Sequence, residues 1–173
     1  EAFGISRNMQ LRLSDGLEAV GPDEADTVVC AGMGGDLIIR IFSCSPWLRD
    51  GKYTLILQPQ SAGQALRLWL AENGFAVSRE ELVQDGGFLY TVLRACWDGT
   101  ARTLSPGMQY VSERLLTGGS PLLAVYFTRI ENALRATVDG LRGAEHPRPE
   151  RLAYHEAALR EITEMRERYG IGT

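Results

Sequence analysis

The chain reads TVVCAGMGG at residues 27–35, a short apolar run that leads directly into three glycines within four residues. Apolar residues then recur on one face of a helix over residues 36–42. A strand, a glycine loop and a helix in this order are typical of sheets with crossover helices, which bind ligands at the carboxyl ends of their strands. The stretch therefore predicts an α/β fold. It also predicts a ligand site made by Gly32, Met33, Gly34 and Gly35.

The rest of the first half repeats this alternation. We expect strands at residues 9–13, 27–31 and 53–57, with a helix after Ser61 whose Ser-x-x-Gln spacing resembles a capping box. Two β-rich runs at 75–84 and 88–96 flank Asp85-Gly86-Gly87, whose glycines suit a tight turn. The pattern predicts a mostly parallel sheet that ends in an antiparallel hairpin.

The second half changes type. Breaker residues fill 98–107, and helical patterns follow at 108–116, from Pro121 onward and at 152–169. The last two carry narrow apolar stripes and predict an antiparallel, coiled-coil-like helical hairpin. We therefore predict two domains, residues 1–99 and residues 100–173.

Composition narrows the possible classes of protein. The 173 residues are 45% hydrophobic and 23% charged, which is typical of a globular domain. There is no apolar run long enough to span a membrane, and the three cysteines and two histidines have no metal-ligand spacing. These features predict a cytoplasmic protein with reduced thiols, no metal and no membrane anchor, and they leave its oligomeric state open.

Two further segments are candidates for binding. Asp15, Gly16 and Leu17 follow the first predicted strand, where a carboxylate beside a glycine suits an adenine amine or a ribose hydroxyl, although taken alone the segment is better explained as a plain turn. Gln58 and Pro59 end the third predicted strand. The Gln58 amide suits a base edge or a simple strand-end cap.

The glycine loop excludes two common nucleotide sites. A dinucleotide fingerprint requires a small residue where Leu37 stands, and no acidic strand end follows at the expected distance. The Gly-Lys-Ser or Gly-Lys-Thr of a nucleoside triphosphate loop is absent from the sequence. Neither nicotinamide nor nucleoside triphosphate binding is expected.

Charge differs between the two halves. Residues 1–99 carry eight Lys and Arg against thirteen Asp and Glu, net −5, and residues 100–173 carry ten against nine, net +1. All ten cations of the second half are arginines, which suit phosphate. Two interpretations remain open for four of them, a phosphate grip and a solvated, salt-bridged surface. These four are Arg135, Arg142, Arg148 and Arg151.

Four segments in order, RLSDGLE at 12–18, AGMGG at 31–35, LILQP at 55–59 and ENGF at 72–75, resemble the bacterial tRNA adenine-N1 methyltransferases that modify the D-arm adenine at position 22. The resemblance implies S-adenosylmethionine as methyl donor, tRNA as substrate and a Rossmann-like class I methyltransferase core. The antiparallel hairpin is the usual ending of such a sheet. By position, Asp15 and Gly16 would lie near the cofactor adenosine and Gly32 to Gly35 near the transferred methyl group. The catalytic group is not assigned.

In that family the first strand, the cofactor loop and the second strand would all precede residue 1, so the resemblance implies an N-terminally truncated chain. We therefore expect the 173-residue chain alone to bind S-adenosylmethionine weakly or not at all. Calorimetric titration checks this, and binding as tight as that of a full-length relative would contradict the alignment of strands. The alternative function is a non-catalytic adenine-nucleotide or RNA binding module with a helical interaction hairpin.

Overall fold

A computed structural model describes residues 9–146 and 148–172. The first part contains β1 (Thr27–Met33), α1 (Gly35–Ser43), a short 3-10 helix (Pro46–Leu48), β2 (Thr54–Pro59), α2 (Gly63–Glu72), β3 (Phe75–Asp85) and β4 (Phe88–Trp97). The second part contains α3 (Glu113–Thr117), α4 (Leu123–Arg142) and α5 (Pro149–Arg168).

The four strands form one sheet in the order β1-β2-β4-β3. β1 and β2 are parallel, whereas β4 runs antiparallel to both β2 and β3. Gly86 and Gly87 both have positive φ, at 54° and 82°, as a two-residue hairpin turn requires. The predicted mixed α/β sheet with a reversed hairpin is therefore confirmed.

Two hydrophobic cores hold the chain together. The first lies between the sheet and the helices α1 and α2, where Ile38, Leu57, Leu66 and Leu93 are completely buried. The second joins α3, α4 and α5 around Leu115, Phe127, Leu134 and Ile162. Burial of apolar surface at about 25 cal/mol per Å² is the main stabilising contribution of each core.

The β3–β4 hairpin belongs to both cores. Phe75 and Ala95, at one end, are buried in the first core, whereas Leu82 is buried in the second core and Leu89 packs against it. The β3–β4 register shifts between Val77 and Arg79, so a bulge lies between the two halves of the hairpin. The predicted division at residue 99 follows the change of secondary structure and remains a prediction.

Three local expectations were wrong. Residues 9–13 form no strand, and Leu11 and Leu13 are exposed, because no described strand lies beside them to pair with their backbone. The helix expected at 108–116 is only α3, because the residues before Ser112 form turns. The N-cap of α2 is Ala62 rather than Ser61, and it makes no side-chain capping bond.

The final two helices are confirmed as elements of twenty residues each. They pack against each other through the second core, and a coiled-coil register for them remains a prediction. Within residues 9–146 and 148–172, none of the helices is long and apolar enough to cross a membrane.

Candidate functional site

The glycine loop follows β1, and the segment from Gln58 to Ser61 follows it at the end of the neighbouring parallel strand β2. Three hydrogen bonds join the two segments. The Gly32 N–H donates to Gln58 Oε1 at 2.8 Å, the Gln60 N–H to the Met33 carbonyl at 2.9 Å, and the Gly35 N–H to the Ser61 carbonyl at 2.8 Å. The structure thus brings the predicted residues Gly32 to Gly35, Gln58 and Pro59 together at one edge of the sheet.

The three glycines of the loop differ in what a side chain at each position would meet. Gly32 has φ +77°, which side-chain-bearing residues rarely adopt. A Cβ on Gly35 would lie 2.5 Å from the Ala62 carbonyl oxygen, so this glycine is needed for packing. A Cβ on Gly34 would meet only the Ser61 hydroxyl, at 3.0 Å. Only Gly34 combines ordinary φ with a neighbour that can move aside.

Gln58 carries an unsatisfied donor. Its Oε1 is used by Gly32, but its Nε2 is buried and has no hydrogen-bond partner among the described residues. An unpaired buried donor costs about 1–3 kcal/mol, and such a group requires an explanation such as a bound water, an ion or a ligand. Because protein atoms already cover Gln58 Nε2, a ligand acceptor would reach it only if the surrounding side chains move.

Ala62 adds backbone strain beside the same segment. It has φ 52° and ψ 32°, and it is the only non-glycine residue with positive φ in the described ranges. Left-handed backbone at a non-glycine residue costs about 1–3 kcal/mol, and such residues are enriched at functional sites. The start of α2 is therefore a further candidate segment beside the glycine loop.

Asp15, Gly16 and Leu17 lie elsewhere. Asp15 Oδ1 accepts a hydrogen bond from Arg40 Nη2 at 3.3 Å, and a Cβ on Gly16 would lie 2.7 Å from Ile41 Cγ1. Arg40 is five residues beyond Gly35, which corresponds to about 8 Å along a helix. The structure places this turn at the far end of α1 from the glycine loop, and its role toward a cofactor remains a prediction.

The four arginines separate into two groups. Arg135 and Arg142 line a cavity of about 520 Å³ between α4 and α5, and Arg142 forms an ion pair with Glu156 at 2.6 Å. Arg148 and Arg151 are exposed at the start of α5. Arg135 and Arg142 therefore lie on one surface, and Glu156 neutralises part of its positive charge.

A buried ion pair, which sequence reasoning missed, joins the two cores. Arg67 on α2 and Glu80 on β3 are 4% and 0% exposed, and Arg67 Nε donates to Glu80 Oε1 at 3.1 Å. Arg67 also donates to the Gln109 carbonyl at 3.3 Å and to the Tyr126 hydroxyl at 3.4 Å. Burial lowers the pKa of Arg67 and the Glu80 charge raises it, with a net upward shift, so the guanidinium stays charged.

Sequence reasoning also missed a cavity of about 300 Å³ between the end of β2, the β3–β4 hairpin and α4. We call it the hairpin cavity. The available signal was the aromatic alternation of Phe88 and Tyr90 directly after the turn glycines. Six of the residues that line it are Gln60, Gln64, Phe88, Tyr90, Tyr126 and Arg129.

The described part of the chain gives no support for a metal site or for Cys30 as a nucleophile. It contains no group of three or more His, Cys, Asp or Glu side chains that could hold a metal ion. Burial raises the pKa of the Cys30 thiol, so this cysteine is a packing residue rather than a nucleophile. What the fold provides is a Rossmann-like sheet with a glycine loop at its carboxyl edge.

A sheet of this order with a glycine loop at its carboxyl edge is found in the cores of class I methyltransferases. A family model described as a methyltransferase domain matches residues 1–93, which is more than half of the chain. The chain belongs to this methyltransferase domain family.

Curated relatives agree with the resemblance seen in the sequence. The tRNA (adenine(22)-N(1))-methyltransferase of Bacillus subtilis is 36% identical over 115 residues, which cover 62% of this chain and 48% of the relative. A putative tRNA methyltransferase of Mycoplasma pneumoniae is 35% identical over 89 residues, covering 50% and 40% of the two chains. The chain spans about half the length of the curated relatives it matches.

Solved structures show the same fold. A putative tRNA (m1A22) methyltransferase of Streptococcus pneumoniae superimposes with a TM-score of 0.75 at 26% identity, over 95% of this chain and 72% of that one. The structure of the same protein in complex with S-adenosyl-L-methionine gives a TM-score of 0.74. The Bacillus subtilis m1A22 tRNA methyltransferase gives 0.65 at 28% identity, over 92% and 68% of the two chains.

Proposed function

We propose that this chain is part of an S-adenosylmethionine-dependent enzyme that methylates N1 of an adenine in tRNA. The observation that carries the proposal is the glycine loop after β1, whose Gly32 N–H donates to Gln58 at the end of the parallel strand β2. The similarity to m1A22 methyltransferases supports the choice of tRNA as substrate and, with it, a cytoplasmic location.

The residues present fit the methyl donor. A Cβ on Gly32 would meet no atom closer than 3.9 Å, and a Cβ on Gly34 would meet only the Ser61 hydroxyl, so a ligand can approach the backbone of this loop. We infer that Gly32 to Gly35 line the cofactor and methyl-transfer pocket and that Asp15 to Leu17 contact its adenosine part. When bound, S-adenosylmethionine supplies an electrophilic methyl group.

The chain's own task is mainly positional. Adenine N1 carries a lone pair, so transfer requires alignment of the base more than a strong general base. Gln58 and Pro59, at the end of β2, are placed to hold the base edge. Asp36, which is exposed in the first turn of α1, is a candidate for accepting the proton that leaves the exocyclic amine.

A direct assay tests the proposal. Full-length protein is incubated with unmodified tRNA and methyl-labelled S-adenosylmethionine, and the digested tRNA is examined by mass spectrometry for N1-methyladenosine. The control tRNA carries guanine at position 22. Transfer to another atom, or to both RNAs equally, would contradict the proposal. Binding of tRNA without any transfer would instead support the non-catalytic RNA binding module.

We propose that Arg135, Arg142, Arg148 and Arg151 hold the RNA backbone. Changing all four to Glu in the full-length protein should weaken tRNA binding by roughly 100-fold at low salt. Each arginine that neutralises a phosphate releases counterions from the RNA, and this favourable contribution is lost with the contact. The slope of log K against log salt should fall by about 3. Titrations at several salt concentrations measure both quantities.

A matched pair of double variants separates position from net charge. Arg148→Glu with Arg151→Glu should weaken binding, whereas Arg49→Glu with Arg79→Glu, on the exposed surface of the sheet domain, should leave it nearly unchanged. Equal effects of the two doubles would show only a dependence on total charge. An unaltered affinity and salt slope in the fourfold variant would show that these helices do not grip the RNA.

A further inference from the structure

The hairpin cavity opens beside the glycine loop. Leu57 of β2 pairs with Leu93 of β4, so the last residue of β2, Pro59, lies level with Thr91, and residues 88–90 of β4 extend past the end of β2 on the same edge of the sheet as the loop. Gln60 belongs to both places, because it lines the cavity and its Nε2 lies 3.9 Å from where a Gly32 Cβ would be. The cavity is therefore continuous with the proposed methyl-transfer site.

The walls of the cavity carry aromatic rings that folding leaves uncovered. Phe88 is 61% exposed, and its ring centroid lies 6.4 Å from that of Tyr90. An exposed phenylalanine beside a second aromatic ring provides faces on which a planar base can stack, and such stacking tolerates any base. The two rings lie where an extended chain leaving the glycine loop would pass.

A cation and two amides complete the cavity. Arg129 Nη1 donates to the Leu89 carbonyl at 3.4 Å, which holds the guanidinium beside the rings. Among the residues that the structure describes, no carboxylate lies within ion-pair distance of Arg129, so its charge is free for a phosphate. Gln60 and Gln64 offer amide donors and acceptors.

A second cavity adjoins the hairpin cavity. It has a volume of about 490 Å³, shares Leu89 and Arg129 with the hairpin cavity, and reaches Val125 and Asn132 on α4. The two cavities together form a groove from the glycine loop to the first long helix. A groove with stacking faces, a cation and amides suits single-stranded RNA better than a protein segment.

We propose that the hairpin cavity binds the nucleotide adjacent to the methylated adenine, with its base on Phe88 and Tyr90 and its phosphate on Arg129. This inference rests on the proposed function. An adenine that leaves its stack to reach the glycine loop exposes the neighbouring base. Phe88 and Tyr90 replace the lost stacking partner, which lowers the cost of extruding the adenine.

The first experiment measures binding of fluorescein-labelled unmodified tRNA to the intact protein by anisotropy. Phe88→Ala should raise Kd about tenfold, since one base stacked on an aromatic side chain contributes about 1–3 kcal/mol. Phe88→Trp should bind as tightly as the wild type because it keeps a stacking face. Tyr169→Ala, which removes a 44% exposed aromatic residue beyond α5, is the control and should have no effect.

The second experiment measures the salt dependence of the same binding. Arg129→Gln should reduce the slope of log K against log salt by about 0.7, the value for one phosphate contact with a single strand. Affinity for S-adenosylmethionine and the thermal midpoint should be unchanged in all variants, because none of the substituted side chains is buried in either core.

The outcomes separate this inference from the proposed function. If the wild type methylates tRNA and the Phe88→Ala variant binds tRNA as tightly as the wild type, the proposed role of the hairpin cavity is wrong and the proposed function stands. An equal loss in Phe88→Trp and Phe88→Ala would also overturn it, because stacking would not be the cause. If the wild type neither binds nor methylates tRNA, the proposed function fails and this inference falls with it.

Discussion

Glu80→Gln should lower the free energy of unfolding by about 3–5 kcal/mol, which is the cost of leaving one charge of a buried pair without its partner. The glutamine keeps the shape of the side chain but removes the charge that faces Arg67. Because Arg67 is 4% exposed and keeps its proton, its charge would remain in the interior without a counterion. Urea denaturation followed by circular dichroism measures the change.

The adjacent surface pair provides the control. Glu81 binds Arg79 at 2.8 Å, with the two side chains 46% and 72% exposed, so Glu81→Gln should cost less than about 1 kcal/mol. The double variant Arg67→Met with Glu80→Leu should recover much of the stability lost in Glu80→Gln, since no unpaired charge remains. A loss below about 1 kcal/mol in Glu80→Gln would contradict the importance of the buried pair.

Gly34→Val should reduce methyl transfer at least about 100-fold, because displacement of a reacting group by about 1 Å has effects of that size. The fold should survive, since the added Cβ meets only the movable Ser61 hydroxyl and Gly34 has ordinary φ of −68°. The rate of transfer to tRNA and the thermal midpoint are measured on the same full-length preparation.

Gly35→Ala is the matched variant one residue along. Its Cβ would collide with the Ala62 carbonyl oxygen at 2.5 Å, so we expect a loss of stability of about 1–3 kcal/mol. The two neighbouring glycines should thus separate activity from stability. If Gly34→Val retains normal transfer, or is less stable than Gly35→Ala, then Gly34 has a structural role and does not border the reacting groups.

The local sequence pattern was sufficient to predict most strands of the sheet. The apolar runs at 27–31 and 53–57 predicted β1 and β2 within two residues, and the Gly86-Gly87 pair predicted the hairpin. Each of these signals is a periodicity or a turn preference within about ten residues. The alternation at residues 9–13 failed because a strand also requires a neighbour, which the local sequence does not reveal.

The candidate site was predictable only in part. Parallel strands bring their carboxyl ends to one edge, so Gly32 and Gln58 were expected near each other although they are 26 residues apart. The pairing of Arg67 with Glu80 and the hairpin cavity depend on how the two cores meet. Sequence spacing contains no information on that arrangement, which is why both were missed.

The shared hairpin joins the two cores. Since β3 and β4 run from one core into the other through a single bulge, the long helices pack against the same hydrogen-bonded ladder that forms part of the sheet. On the proposed function, an RNA that touches both α4 and the glycine loop would have to present the bend that this packing sets, so its three-dimensional shape would contribute to recognition as well as its bases.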